Sequence, residues 1–180
     1  AAFAASMAVF EARSTVAGLL GVPDASRVSF ALNATMALNI AIAGLLPGGG
    51  RAITTAASHN SVLRPLFRAR DMRGAQVEVA RILPDGSLDW ESYGRALEGG
   101  ANLVAATHAS NVTGDVYDVA RMAAMAHDAG ALFVLDAAQT AGAVPVNMAA
   151  LGVDVLCFTG HKSLYGPQGT GGLIVREGLE

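Results

Sequence analysis

Seven short, almost wholly apolar runs recur along this chain, and most are separated by segments long enough to form a helix. The runs are Val28–Leu32, Ala52–Ala56, Val77–Ile82, Leu103–Thr107, Leu132–Leu135, Val153–Phe158 and Gly172–Val175. Apolar residues fall at helical spacing over 1–20, and helix-length segments lie at 35–46, 60–73, 89–98 and 118–129. Runs this short and this continuously apolar suit strands buried on both faces, which is the environment of a parallel sheet covered by helices. The pattern predicts an α/β fold: a three-layer α/β/α domain built on a mainly parallel, seven-stranded sheet. Between the last two runs lies only a Gly-rich loop, Thr159–Gly171, with little room for a crossover helix, so the final strand is predicted to run antiparallel. Gly21-Val22-Pro23 stops the first helix, Pro84-Asp85-Gly86 is a turn, and Asp89 is placed to cap the helix that follows.

A sheet of this kind binds ligands outside the carboxyl ends of its strands. Five run ends deliver polar residues there: Asn33-Ala34-Thr35, Ser58-His59-Asn60, His108-Ala109-Ser110-Asn111, Asp136-Ala137-Ala138-Gln139 and Thr159-Gly160-His161-Lys162. Composition narrows what the ligand is. A net charge of −3 gives no basic face for nucleic acid, and Arg64, Arg68, Arg70 and Arg73 have the spacing of a solvated helix face. The single cysteine, Cys157, excludes an internal disulfide and a Cys-rich metal site, fits a reducing cytoplasm, and sits in an apolar run that marks it as a buried structural thiol. Apolar stretches such as Leu38–Leu46 are too short for a bilayer, and no paired ligand spacing points to a metal. His108 and His127 are expected to satisfy local hydrogen bonds. The absence of an initiator Met, and a chain that stops soon after its last strand, suggest part of a longer protein.

Eleven of the twelve basic residues are arginine, and the one lysine, Lys162, follows a strand end. A primary amine condenses with an aldehyde, and a guanidinium does not. Asp136 ends another apolar run, 26 residues earlier, where a carboxylate needs either a cationic partner or a helix to cap. His59 is open to two readings as well, a helix cap or a ring placed against a ligand. A Walker A sequence and a complete G-x-G-x-x-G are both missing, so a nucleotide site has no support.

In the order and spacing of Asn33-Ala34-Thr35-Met36-Ala37-Leu38-Asn39, Ser58-His59-Asn60-Ser61-Val62-Leu63-Arg64-Pro65-Leu66, Ser110-Asn111-Val112-Thr113-Gly114, Asp136-Ala137-Ala138-Gln139 and Thr159–Pro167, the chain resembles the class V pyridoxal-phosphate enzymes of aminotransferase fold type I. The resemblance is strongest to the cysteine desulfurases and selenocysteine lyases. It implies that Lys162 holds the cofactor aldehyde and later shuttles the substrate α-proton, and that Asp136 pairs with the pyridinium nitrogen. It implies that His59 stacks on the ring, that Gln139 hydrogen-bonds the phenolic oxygen, and that Asn111 lies near that oxygen and the substrate carboxylate. Ala34 and Thr35, opening a helix, would hold the phosphate together with Thr159 and His161.

Read this way, residues 1–180 are the large pyridoxal-phosphate domain, without an N-terminal segment and a small C-terminal domain. The expected activity is removal of sulfur from L-cysteine to leave alanine and an enzyme persulfide. A class V transaminase, a selenocysteine lyase or an amino-acid epimerase would use the same site, and a non-enzymatic α/β binding domain is the reading from another class. The resemblance implies a cytoplasmic homodimer, with a sulfur-acceptor protein as a further partner. One departure is Ser58, where many relatives carry Glu. The persulfide-forming cysteine and the carboxylate-binding arginine are expected beyond this chain, so the chain by itself is expected to be inactive.

Overall fold

The structure, a computed structural model, describes residues 2–179. In chain order its elements are α1 (Ala2–Leu19), β1 (Val28–Ala31), α2 (Ala34–Leu45), β2 (Arg51–Thr55), α3 (Asn60–Arg73), β3 (Gln76–Ala80), α4 (Trp90–Leu97), β4 (Leu103–Thr107), α5 (Val119–Asp128), β5 (Leu132–Asp136), β6 (Val155–Thr159) and β7 (Gly171–Val175). The strands form one sheet in the order β1-β7-β6-β5-β4-β2-β3. Strand β7 lies between β1 and β6 and is antiparallel to both; the other pairings are parallel. The three-layer sheet with an antiparallel last strand is thus the architecture the apolar runs predicted.

Strand side chains alternate between faces, and the two faces carry separate cores. Leu103, Ala105, Val134, Val155 and Cys157 pack under α2 and α3, which contribute Leu38, Ile42, Val62 and Leu66. Val104, Ala106, Phe133, Leu135 and Leu156 pack against α4 and α5 and the end of α1, with Tyr93, Met122 and Leu20. The same alternation fixes what happens at the carboxyl ends of the strands. Continuing each α2/α3-facing row by two residues reaches Thr107 on β4, Asp136 on β5 and Thr159 on β6. Three polar groups therefore arrive on the face where α2 and α3 begin.

Caps set the helix boundaries. Asn33, Asp89 and Asp118 accept hydrogen bonds from the amides of Met36, Ser92 and Arg121, and Gly74 ends α3 in the left-handed region. The four arginines of α3 are exposed as expected, but Arg73 also donates to the Ala43 and Leu46 carbonyls and ties α3 to the end of α2. Along α1 only Ala17 is buried, while Phe3, Met7, Val9, Phe10 and Leu19 face solvent.

At the opposite end of the sheet, Asp154 is 2% exposed and accepts from the Phe133 amide at 2.6 Å, from His127 Nε2 at 2.8 Å and from Arg176 Nε. This ties β5, β7 and α5 together. Asp154→Ala leaves the buried Phe133 amide without its acceptor, while His127 and Arg176 are exposed and return to water, so it is expected to cost about 1–3 kcal/mol, read from urea denaturation. A loss under about 1 kcal/mol would show that the cluster is solvated in practice.

Candidate active site

All the residues singled out from the sequence as cofactor-binding or catalytic line one cavity of about 290 Å³ at the carboxyl ends of the strands. They are Ala34, Thr35, His59, Asn111, Asp136, Gln139, Thr159, His161 and Lys162. Ser61, Thr107 and Ala109 line it too, and the sequence reading gave none of them a role.

Asp136 is the last residue of β5 and is 3% exposed. Burial pushes its carboxyl above the ordinary aspartate range. The Ala138 amide and the Ser61 hydroxyl pull the other way, as does the positive charge of Lys162. The Ala138 amide donates to Oδ1 at 3.0 Å, and Ser61 Oγ lies 3.3 Å from Oδ2. Asp136 thus caps the turn after β5 and still presents a carboxyl group to the cavity, so the two readings of this residue are compatible. Cys157, its register partner on β6, is fully buried, and burial together with the Asp136 charge holds its thiol well above the usual range. It has neither the exposure nor the thiolate character of a nucleophile.

For His59, too, the two readings are compatible. It is the N-cap of α3, with Nδ1 accepting from the Ser61 amide at 3.1 Å, and its side chain lines the cavity. The segment before it is knitted by Ser58, whose buried hydroxyl lies 3.0 Å from Thr54 Oγ1 and 3.2 Å from Thr55 Oγ1. A hydroxyl suits that small, hydrogen-bonded corner where a carboxylate would have to be buried.

The start of α2 offers an anion site. Asn33 Oδ1 takes the Met36 amide at 2.8 Å, which leaves the Ala34 and Thr35 amides with no intrahelical acceptor at the positive end of the helix. Beside them Thr159 Oγ1 and His161 Nδ1 are 3.0 Å apart, two side chains able to add donors. Close approach of β7 makes this corner compact. A Cβ on Gly171 would lie 2.7 Å from Asn33 Cα, so only glycine allows the first residue of β7 to meet the start of α2.

Lys162 is exposed in the loop between β6 and β7. Its carbonyl accepts from the Tyr165 amide at 2.9 Å, and Tyr165 holds φ at +54°, an unusual conformation for a tyrosine. Gly142, at φ +86°, lets this loop pack on the turn after β5; a Cβ there would come within 2.6 Å of the Ser163 carbonyl oxygen. Asn111 is exposed at the cavity rim, and Gln139 is half-buried in the turn that Asp136 caps.

The cavity therefore joins unpaired helix amides, a buried carboxyl and a primary amine. That set fits a ligand with an anionic end, a cationic ring atom and an aldehyde. His127 finds a local partner in Asp154, as expected, whereas His108 does not: its Nδ1 is buried without a hydrogen-bond partner, and burial lowers its proton affinity. Its backbone is what the strand end uses, with the amide donating to the Asp136 carbonyl and the carbonyl accepting from Tyr117. Among the described residues no group of three His, Cys, Asp or Glu is placed to hold a metal ion, and no helix is long and apolar enough to cross a membrane.

The chain matches the Aminotransferase class-V family over residues 1–180. It is 37% identical over 162 residues to a probable cysteine desulfurase of Methanothermobacter thermautotrophicus, covering 89% of this chain and 40% of that protein. To a cysteine desulfurase of Gluconacetobacter diazotrophicus it is 34% identical over 175 residues, covering 96% of this chain and 44% of that one. Among solved structures, the apo cysteine desulfurase of Thermococcus onnurineus NA1 superposes with a TM-score of 0.88 at 35% identity, covering 94% of this chain and 42% of its own. SspA in complex with cysteine superposes at 0.90 with 28% identity, covering 98% and 51%. The chain thus spans less than half the length of these curated relatives.

Proposed function

From a chain that belongs to the class V aminotransferase family, we infer a pyridoxal-phosphate-dependent enzyme that takes sulfur from L-cysteine and leaves alanine. The observation that carries this reading is the meeting of Lys162, the one lysine, with buried Asp136 in a cavity that also holds the free amides of α2. Pyridoxal phosphate, when bound, supplies an electron sink for the charge that develops at the substrate α-carbon.

The protein's part is to hold and to move protons. Ala34 and Thr35 amides with Thr159 and His161 side chains would grip the phosphate, and Asp136 would pair with the ring nitrogen. His59 would pack on the ring, while Gln139 and Asn111 would hydrogen-bond its phenolic oxygen and the substrate carboxylate. Lys162 Nζ would hold the aldehyde and afterwards carry the α-proton. L-Cysteine as the substrate rests on the relatives' naming as cysteine desulfurases and on the bound cysteine in the SspA structure. Cys157 cannot take up the sulfur from inside the core, so the persulfide-forming cysteine belongs to another part of the whole protein.

A homodimer and a sulfur-acceptor protein complete the reading. The exposed Phe3 and Phe10 of α1, and Met36, Ile40 and Met72 along the groove between α2 and α3, are apolar surface suited to cover by other protein. The cytoplasm, a reducing compartment, suits the free thiol.

With L-cysteine and a thiol reductant, the full-length protein is expected to form alanine and sulfide in equal amounts. A keto acid in place of alanine would assign transamination instead. The 180-residue chain alone is expected to be at least ~100-fold slower, because the arginine that would grip the substrate carboxylate and the cysteine that would accept sulfur are expected in the rest of the protein. Alanine formation by it at the full-length rate would overturn that division and reopen Cys157 as the nucleophile.

A further inference from the structure

One hydroxyl stands between His59 and Asp136. Ser61 Oγ lies 2.8 Å from His59 Nδ1 and 3.3 Å from Asp136 Oδ2, and the Ser61 amide donates to the same Nδ1 at 3.1 Å. Ser61 is itself 6% exposed, so bulk water has little access to this junction.

Donors and acceptors can be counted here. A backbone amide only donates, so the Nδ1 it meets is an acceptor, and the imidazole proton is assigned to Nε2. The hydroxyl has one hydrogen and two claimants. The 2.8 Å contact to His59 is a full-strength geometry, whereas 3.3 Å is long for a hydroxyl donating to oxygen. While Asp136 carries a proton, the Ser61 hydrogen points to His59 and the carboxylic acid can donate to Ser61 Oγ. An ionised Asp136 has only lone pairs to offer and takes the hydroxyl hydrogen for itself.

We propose that Ser61 is a positioning residue that fixes His59 as the Nε2–H tautomer and transfers its hydroxyl hydrogen bond from His59 to Asp136 when a cationic ring binds there. The first half stands on the geometry alone, and the second rests on the pyridoxal-phosphate reading. The amide hydrogen bond to Nδ1 persists in both states, so the ring keeps its place while its second donor comes and goes. The histidine thereby senses whether the carboxylate below it has a partner.

Ring-¹⁵N histidine spectra of the full-length protein test this, with the His59 signals assigned by their loss in His59→Asn. In the cofactor-free parent, Nδ1 is expected at the shift of an unprotonated acceptor and Nε2 at that of a protonated nitrogen. Ser61→Ala is expected to lower the Nε2–H to Nδ1–H ratio about fivefold, the worth of one hydrogen bond. Ser61→Thr, which retains the hydroxyl, restores the parent ratio. Ser61→Cys, a weaker donor, gives an intermediate ratio and serves if the alanine variant does not fold. A protonated Nδ1 in the parent, or the same ratio in every variant, overturns the tautomer assignment.

Adding pyridoxal phosphate should then move the His59 Nδ1 signal in the parent and the threonine variant, and much less in the alanine variant. Equal movement in all three overturns the transfer. If absorbance shows no cofactor bound to the parent, the functional reading fails, while the cofactor-free spectra still decide what Ser61 does.

Discussion

Replacing Lys162 with arginine is expected to remove covalent cofactor retention and to lower alanine formation by ~10³-fold or more. The variant keeps a positive charge beside Asp136 but has no amine to condense with an aldehyde or to carry the α-proton. Borohydride reduction of the full-length protein with pyridoxal phosphate, followed by peptide mass mapping, should place the adduct on residue 162 in the parent and nowhere in the variant. An adduct confined to the amino terminus would sink the assignment. Because Lys162 is exposed, stability should change by less than about 0.5 kcal/mol, which separates loss of chemistry from loss of fold.

Asp136→Asn is expected to act in opposite directions on catalysis and on stability. Without the carboxylate the ring nitrogen loses its counter-charge, and exchange of the substrate α-hydrogen, followed by deuterium incorporation in heavy water, should slow by about 10²–10³-fold. The cofactor-free protein should gain about 0.5–2 kcal/mol at neutral pH, because a buried carboxyl whose ionised form is disfavoured by desolvation has been replaced by a neutral amide. Burial raises the carboxyl above its unfolded value of 3.8, so across the interval between the two values the native state binds more protons than the unfolded state. Parent stability therefore falls as pH rises through that interval, while the asparagine variant lacks this dependence. Thermal unfolding of both cofactor-free proteins at pH 4 and pH 7 should show a gap that opens only at the higher pH. Parent-like α-hydrogen exchange in the variant would reduce Asp136 to the turn cap it also is.

The apolar runs were enough to read the sheet because each strand is buried on both faces, and the two-residue period has nothing to contend with. Run ends were harder. Val153 is excluded from β6, since its amide bonds to the Met148 carbonyl and Asp154 spends its side chain on the far-end clamp. Ile82 leaves β3 to bridge Leu88 across the Asp85-Gly86 turn. At the candidate site, residues at strand ends were legible because topology alone brings them together. Ser61 was not, because its importance comes from two contacts, one to a residue two positions away and one to a residue 75 positions away. The available signal was local: a hydroxyl at the second position of a helix whose cap is a histidine. His108 shows the converse, a polar residue at a strand end whose backbone matters and whose buried ring finds no partner.

The place of β7 in the sheet also orders events in time. A ribosome makes residues 171–175 long after β1, yet these residues form the strand that joins β1, 28–31, to the rest of the sheet. Until they emerge, β1 has no strand of this sheet to pair with, and the closure spans more than a hundred residues of chain. The loop that carries Lys162 is fixed only when both its flanking strands have docked. The start of α2 packs against the first residue of β7, and the loop that carries Lys162 ends in that strand, so the candidate cavity is complete only once residues 171–175 have been made and paired.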